Sequence, residues 1–215
     1  MGDHLGLSRF PIVGVSGGAP YAMAAAQQIG DRVEKLALVC GLGELVDDTS
    51  TSGMNPAAAL SLRFHQRWPR LGHLTYRQLI GPVLRRYPAG IFRILVGNGT
   101  PADRAVLAEP EVRSVIIASF AEAFHAGAAG PAQELALITR RWDVDPAEVF
   151  QPVQLWHGEA DNTVPVAMGR RHAALLLNVD ARFIPGEGHF SLVVRYMGQI
   201  LEALVGLPPV QLESR

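Results

Sequence analysis

The sequence predicts an α/β domain: a mostly parallel sheet of about four strands, interrupted by a long helical insertion. Residues 10–40 read strand, helix, strand, which is a βαβ unit and implies parallel pairing through a right-handed crossover. The strand pattern then stops, helical spacing takes over, and strands alternating with helices return near residue 149. With 48% hydrophobic residues in 215, the chain can fill one sizeable core.

The elements follow in order. Phe10-Pro11-Ile12-Val13-Gly14-Val15 is a short apolar run with β-branched residues, read as a buried strand. After Ser16-Gly17-Gly18-Ala19-Pro20, residues 21–29 are rich in Ala and Gln and favour helix, until Gly30-Asp31 stops it. Residues 33–40 form the second strand, because Leu36-Ala37-Leu38-Val39-Cys40 is continuously apolar. Helical spacing marks 57–68, 76–86, 102–108 and 111–126, with Pro and Gly between. Then come a strand at 153–157, a helix at 166–177, a strand at 181–184 and a closing helix at 191–205. The expected division is a core of residues 1–48 and 149–215 and a helical lid of residues 49–148. The tail Pro208 to Arg215 is expected to fray.

Composition narrows the function. A formal charge of -1 gives no basic face for nucleic acid or an acidic membrane surface. No secretory signal pattern opens the chain and no apolar run is long enough to span a bilayer, so a cytoplasmic protein is expected. The one cysteine, Cys40, reads as a small core residue rather than a reactive thiol. His4, His65, His73, His125 and His172 lack metal-ligand spacing, and His157, at a strand end, reads as structural. No Gly-Lys-Ser/Thr follows the glycines, so a phosphate loop is not indicated.

Three segments carry chemistry. Gly14-Val15-Ser16-Gly17-Gly18 fits G-x-S-x-G between a predicted strand and helix, the context in which a serine is lifted above a sheet as a nucleophile. Glycines two before and two after would allow close backbone packing, and the Gly17 N–H would face a developing oxyanion. His157-Gly158-Glu159-Ala160-Asp161 follows a strand and places Asp161 at the strand's C-terminal end, where parallel sheets hold their sites. Gly186-Glu187-Gly188-His189 follows the last strand. In the order Ser16, Asp161, His189, the histidine would take the serine proton and the aspartate would fix its tautomer. Glu159, Asp47 and Asp48 are rival acids. Met54, Phe64, Trp68, Tyr76, Phe92 and Phe120 would line an acyl pocket or, as aromatic residues at helical spacing more often do, make core.

With FPIVGVSGGAPYAMAAA, LWHGEADNTVP and FIPGEGHFSL on the page, the chain resembles the α/β-hydrolase superfamily, specifically its lidded, serine-nucleophile group. The resemblance runs end to end, with the insertion matching only in general character. It implies an esterase, lipase, thioesterase or peptidase-like enzyme that needs no cofactor and acts on a small, largely apolar substrate. A serine rather than an aspartate at position 16 sets aside chemistry that uses a carboxylate nucleophile. The same triad also supports carbon–carbon bond hydrolysis or a perhydrolase.

The front departs from the family pattern, because only Met1 to Arg9 precede the nucleophile strand. The expected product is a partial α/β-hydrolase fold whose first strand is an open apolar edge, without a His-Gly loop for a second oxyanion donor. Three explanations are open: a misplaced start, a catalytically silent remnant that binds a partner, or a second copy or completing chain that covers the edge.

Overall fold

The computed structural model describes residues 2–47 and 50–206; the rival acid Asp48 and the tail Pro208 to Arg215 lie outside the described residues. Four strands, β1 (Phe10–Val15), β2 (Val33–Val39), β3 (Val153–Gly158) and β4 (Val179–Ile184), pair in the order β1-β2-β3-β4. Every pairing is parallel, with Val15 opposite Val39, Leu38 opposite Leu155 and Gly158 opposite Ile184. All four C-terminal ends therefore meet at one edge of the sheet. β1 and β4 are the outer strands.

Alternation in β2 shows how the two faces are covered. Leu36 and Leu38 join Ala22, Met23 and Ala26 of helix α1 (Ala19–Gln28), with Leu176 just after α9 (Val166–Leu175). Ala37 and Val39 point the other way, to Leu192, Ile200 and Leu204 of α10 (His189–Val205). The two central strands are thus a buried middle layer, as parallel strands with continuous apolar runs require, while the outer strands β1 and β4 are only partly covered.

Between β2 and β3 the chain is helical: α2 (Pro56–Arg67), α3 (Pro69–Thr75), a π-helical turn (Tyr76–Ile80), α4 (Gly81–Arg86), α5 (Pro88–Asn98), α6 (Pro101–Ala108), α7 (Pro110–Ala123) and α8 (Ala129–Ile138). The prolines that punctuate the sequence start helices α2, α3, α5, α6 and α7, because the first turn needs no N–H from that position. The insertion sits on the sheet's C-terminal edge through two apolar clusters. Leu62 and Met54 meet Leu42, Val164 and Met168, while Phe92, Val106 and Leu107 meet Phe190. Met54 and Phe92 are therefore core, whereas Trp68 is more than half exposed. Among the described residues, no helix is long and apolar enough to cross a membrane.

The turn from β1 into α1 corrects one expectation. A Cβ on Gly14 would stand 2.8 Å from Ala22 Cβ, 2.8 Å from the Gly18 carbonyl and 2.9 Å from Ala19 Cα, so strand and helix touch there. A Cβ on Gly18 would meet nothing within 4 Å, and its φ of -78° and ψ of -16° are ordinary helical values. Only the first glycine serves close packing. Gly14→Ala should lose about 1–3 kcal/mol to overpacking, and Gly18→Ala less than about 0.5 kcal/mol. Denaturant unfolding of both variants checks this, and equal losses would contradict it.

A second stability effect comes from His172 on α9, which is 3% exposed and whose Nδ1 has no hydrogen-bond partner among the described residues. Burial, with smaller contributions from His157 and Arg171, lowers its pKa from 6.5 to about 4. The unfolded chain then binds a proton that the native state refuses, so stability falls as pH drops from 6.5 toward 4. The His172 share of that loss is about 3 kcal/mol. Unfolding measured across this range should show a shallower acid limb for His172→Gln; parallel limbs would refute it.

Candidate active site

Each strand end delivers one side chain to the common edge: Ser16 after β1, Cys40 after β2, Asp161 after β3 and His189 after β4. Ser16 has φ of 54°, a left-handed conformation that a serine adopts at a cost of about 1–3 kcal/mol. The surroundings hold it there. Its carbonyl accepts the Leu42 N–H at 3.0 Å and the Ala19 N–H that closes the 3₁₀ turn Ser16–Gly18. Cys40 repeats the device with φ of 48°, so β1 and β2 both end in a sharp left-handed step. The Gly17 N–H lies at the mouth of α1, where unpaired amides favour negative charge.

Asp161 and His189 form the best-defined contact of the edge. Asp161 Oδ1 accepts the N–H groups of Thr163 and Val164, both at 2.8 Å, which folds the loop after β3 around the carboxylate. Oδ2 is left for His189 Nδ1 at 2.8 Å. The Asp161 side chain is fully buried and that of His189 is 8% exposed. Burial pushes the Asp161 carboxyl up, but the His189 charge and hydrogen bond, then the Val164 N–H and His157, outweigh it and hold it below the usual carboxylate range. With Nδ1–H donating to Asp161, His189 Nε2 is the proton acceptor.

His157 stands behind the pair. Its Nε2 donates to the Val164 carbonyl at 2.9 Å and lies 3.7 Å from Asp161 Oδ2. Burial lowers its pKa, so it remains neutral and braces the acid's loop.

Two of the rival acids are engaged elsewhere. Glu159 is exposed and pairs with Arg170 at 3.3 Å. Asp47 is exposed and accepts the Ser50 N–H at 2.9 Å in a surface turn. Ser16 is half-buried on the same edge as the Asp161–His189 pair, but no hydrogen bond joins its hydroxyl to His189 among the described residues.

Two neighbours escape sequence reasoning. Cys40 is buried as expected, but its Sγ is 3.8 Å from the His189 carbonyl and clusters within 4.8 Å of donor atoms of Asp161 and His189. Burial and then the Asp161 charge push its thiol well up, which keeps it protonated, while Asp161 Oδ2 and His189 Nδ1 are committed to each other. The signal available was its place at a strand end. Asp103, on α6, is fully buried and accepts backbone N–H groups of the first turn of α10: Phe190 at 2.8 Å, Ser191 at 2.9 Å and His189 at 3.3 Å. Thr100-Pro101-Ala102-Asp103 has the spacing of a capping box, which the structure contains, but nothing local shows that the carboxylate also reaches another helix.

No family model and no curated protein matches this chain. Solved structures do. A bromoperoxidase from Bacillus anthracis superposes with a TM-score of 0.64 at 18% identity, covering 95% of this chain and 68% of that one. A thermophilic esterase from Thermogutta terrifontis gives 0.63 at 21% identity, covering 95% and 66%. The enol-lactonase of Burkholderia xenovorans LB400 gives 0.60 at 17% identity, covering 95% and 67%. Parallel strands in sequential order, helices on both faces, a helical insertion after the second strand and this superposition over nearly the whole chain make one result: the chain has the α/β-hydrolase fold, over about two thirds of the length of these structures.

Proposed function

We propose that the chain is a serine hydrolase that cleaves ester, thioester or amide bonds of a small, largely apolar substrate. The observation that carries this is the buried 2.8 Å Asp161–His189 bond on the same sheet edge as a serine held at φ of 54°. In this reading His189 Nε2 takes the Ser16 proton as Oγ attacks the acyl carbonyl. The oxyanion forms against the Gly17 N–H and the N-terminus of α1. His189 then gives the proton to the leaving group, and water, activated by the same nitrogen, releases the acyl group. Asp161 holds Nδ1–H and stabilises the imidazolium. No cofactor enters these steps. The Ser16–His189 contact is the one that closes on substrate binding, since catalytic hydrogen bonds are often loose in an empty site.

A mostly apolar cavity of about 160 Å³ between the insertion and the acid's loop, next to Phe190 but not lined by Ser16 or His189, is consistent with a small apolar substrate group. Ala57, Ala58, Ile94, Leu95 and Phe190 line it, with Asn162 and Thr163 from the acid's loop. The helical insertion acts as its lid. The bromoperoxidase among the neighbours motivates a second reading with the same residues, perhydrolysis, in which hydrogen peroxide replaces water in the second attack.

A fluorophosphonate probe tests the nucleophile. Wild-type protein should be labelled at Ser16, located by peptide mass, and Ser16→Ala should not be. Asp161→Asn should slow labelling by about 10²–10⁴-fold, because the wrong tautomer then faces the serine. Folded wild-type protein that takes no label would favour the catalytically silent reading.

A further inference from the structure

We propose that Asp103 is a positioning residue for His189: the insertion supplies the N-cap of α10, and so sets where the base stands. The proposal rests on the reading of His189 as the general base.

The argument starts from an unmet need of α10. Its first amides require an acceptor, normally the side chain of the preceding residue. That residue is Gly188, which has no side chain, and its own N–H goes to Ser191 Oγ at 2.8 Å. The cap therefore comes from another element. Asp103 Oδ1 takes the Phe190 and Ser191 amides, and Oδ2 takes the His189 amide. The same Oδ2 is 3.4 Å from the Thr100 N–H, and Thr100 Oγ1 accepts the Asp103 N–H at 3.1 Å. One fully buried carboxylate thus caps two helices, with its negative charge at the positive end of α10.

The glycine confirms that the arrangement is built in. A Cβ at position 188 would collide with Asp103 Oδ2 and come within 2.5 Å of Thr100 Oγ1. A local cap and the cap from Asp103 exclude each other, and this sequence has the second. Its consequence is specific to the site, because the capped residue is His189 itself. The Nδ1–Asp161 bond of 2.8 Å is possible only while the first turn of α10 keeps its place. The acid's loop is held from the same side: the Asn162 carbonyl accepts the Asn55 N–H at 2.7 Å, and Asn162 Nδ2 donates to the Asn98 carbonyl at 2.8 Å.

The test compares Asp103→Ala, Asp103→Asn and Thr100→Val with wild type, all confirmed folded by circular dichroism. Two signals are read: the rate of fluorophosphonate labelling, and the far-downfield proton resonance of His189 Nδ1–H in protein carrying ¹⁵N-histidine. Asp103→Ala should lose or broaden the resonance and slow labelling by about 10- to 100-fold, the scale of a misplaced catalytic group. Asp103→Asn, which keeps one acceptor oxygen, should fall between. Thr100→Val breaks the local cap of α6 but leaves the carboxylate, so it should lower stability while keeping the resonance and a rate near wild type. Asp103→Ala with both signals unchanged would overturn the proposal, as would Thr100→Val matching Asp103→Ala. If even wild type takes no label, the hydrolase reading fails, and the resonance alone still decides whether Asp103 places the ring. If Asp103→Ala does not fold, the same two signals in Asp103→Asn decide.

Discussion

The parallel register of β1-β2-β3-β4 is the constraint on which the rest depends. Parallel pairing makes every strand run the same way, so every strand ends at the same edge and the four following loops are neighbours in space. Residues 16, 40, 161 and 189 are far apart in the chain and adjacent at that edge for this reason alone. An antiparallel arrangement of the same strands would send half of these loops to the opposite end. The left-handed steps at Ser16 and Cys40 are a local expression of the same geometry. Two neighbouring strands must stop abruptly so that their next residues rise above the sheet, and the core beneath over-determines a conformation that would cost energy in isolation.

Burial decides the electrostatics at the edge. An isolated carboxylate out of water would be strongly destabilised and would take up a proton. Asp161 avoids this by using both oxygens: two amides on Oδ1, His189 on Oδ2. The net effect holds the carboxyl low although burial alone acts the other way. His157 and His172 are the counter-examples beneath it: His172 has no carboxylate to offset burial, and for His157 burial outweighs the pull of Asp161, so both pKa values are lowered. Removing one member of the Asp161–His189 pair would leave the other buried and unpaired, at about 1–3 kcal/mol or more. The pair is therefore coupled to stability as well as to chemistry.

The sheet was legible, and Ser16, Asp161 and His189 could be singled out as candidates, because these signals are local. A glycine-flanked serine between strand and helix, and an acid and a histidine just past strands, can be recognised within a few residues of sequence. The insertion was less legible. α5 and α8 contain Gly90, Gly97, Gly130 and Pro131, which weaken helical propensity, and their packing against other helices overrides it. Gly18 was misjudged because a glycine's freedom and a glycine's close contact look alike in sequence; only the neighbours at Gly14 separate them. Cys40 was read as plain core from its apolar run, and that is half right, since burial and proximity to the site are independent properties. Asp103 was invisible for a deeper reason. Its partner is the start of a helix more than eighty residues on, and the clue, a glycine where α10 needs a capping side chain, means something only when the other carboxylate is seen beside it.

The anchors of the insertion also tie it firmly to the sheet edge. α6 is tied to α10 through Asp103, and the Asn55 and Asn98 backbones are tied to the acid's loop through Asn162. A rigid swing of the whole insertion would break these bonds together and uncap α10, where His189 stands. The segment from α3 to α4 is different. Leu71, Leu74, Leu79 and Val83 expose about half or more of their surface, and among the described residues no hydrogen bond or ion pair ties that segment to the loops of Asp161 or His189. The insertion thus divides into a part bonded to the Asp161 and His189 segments and a part that is not.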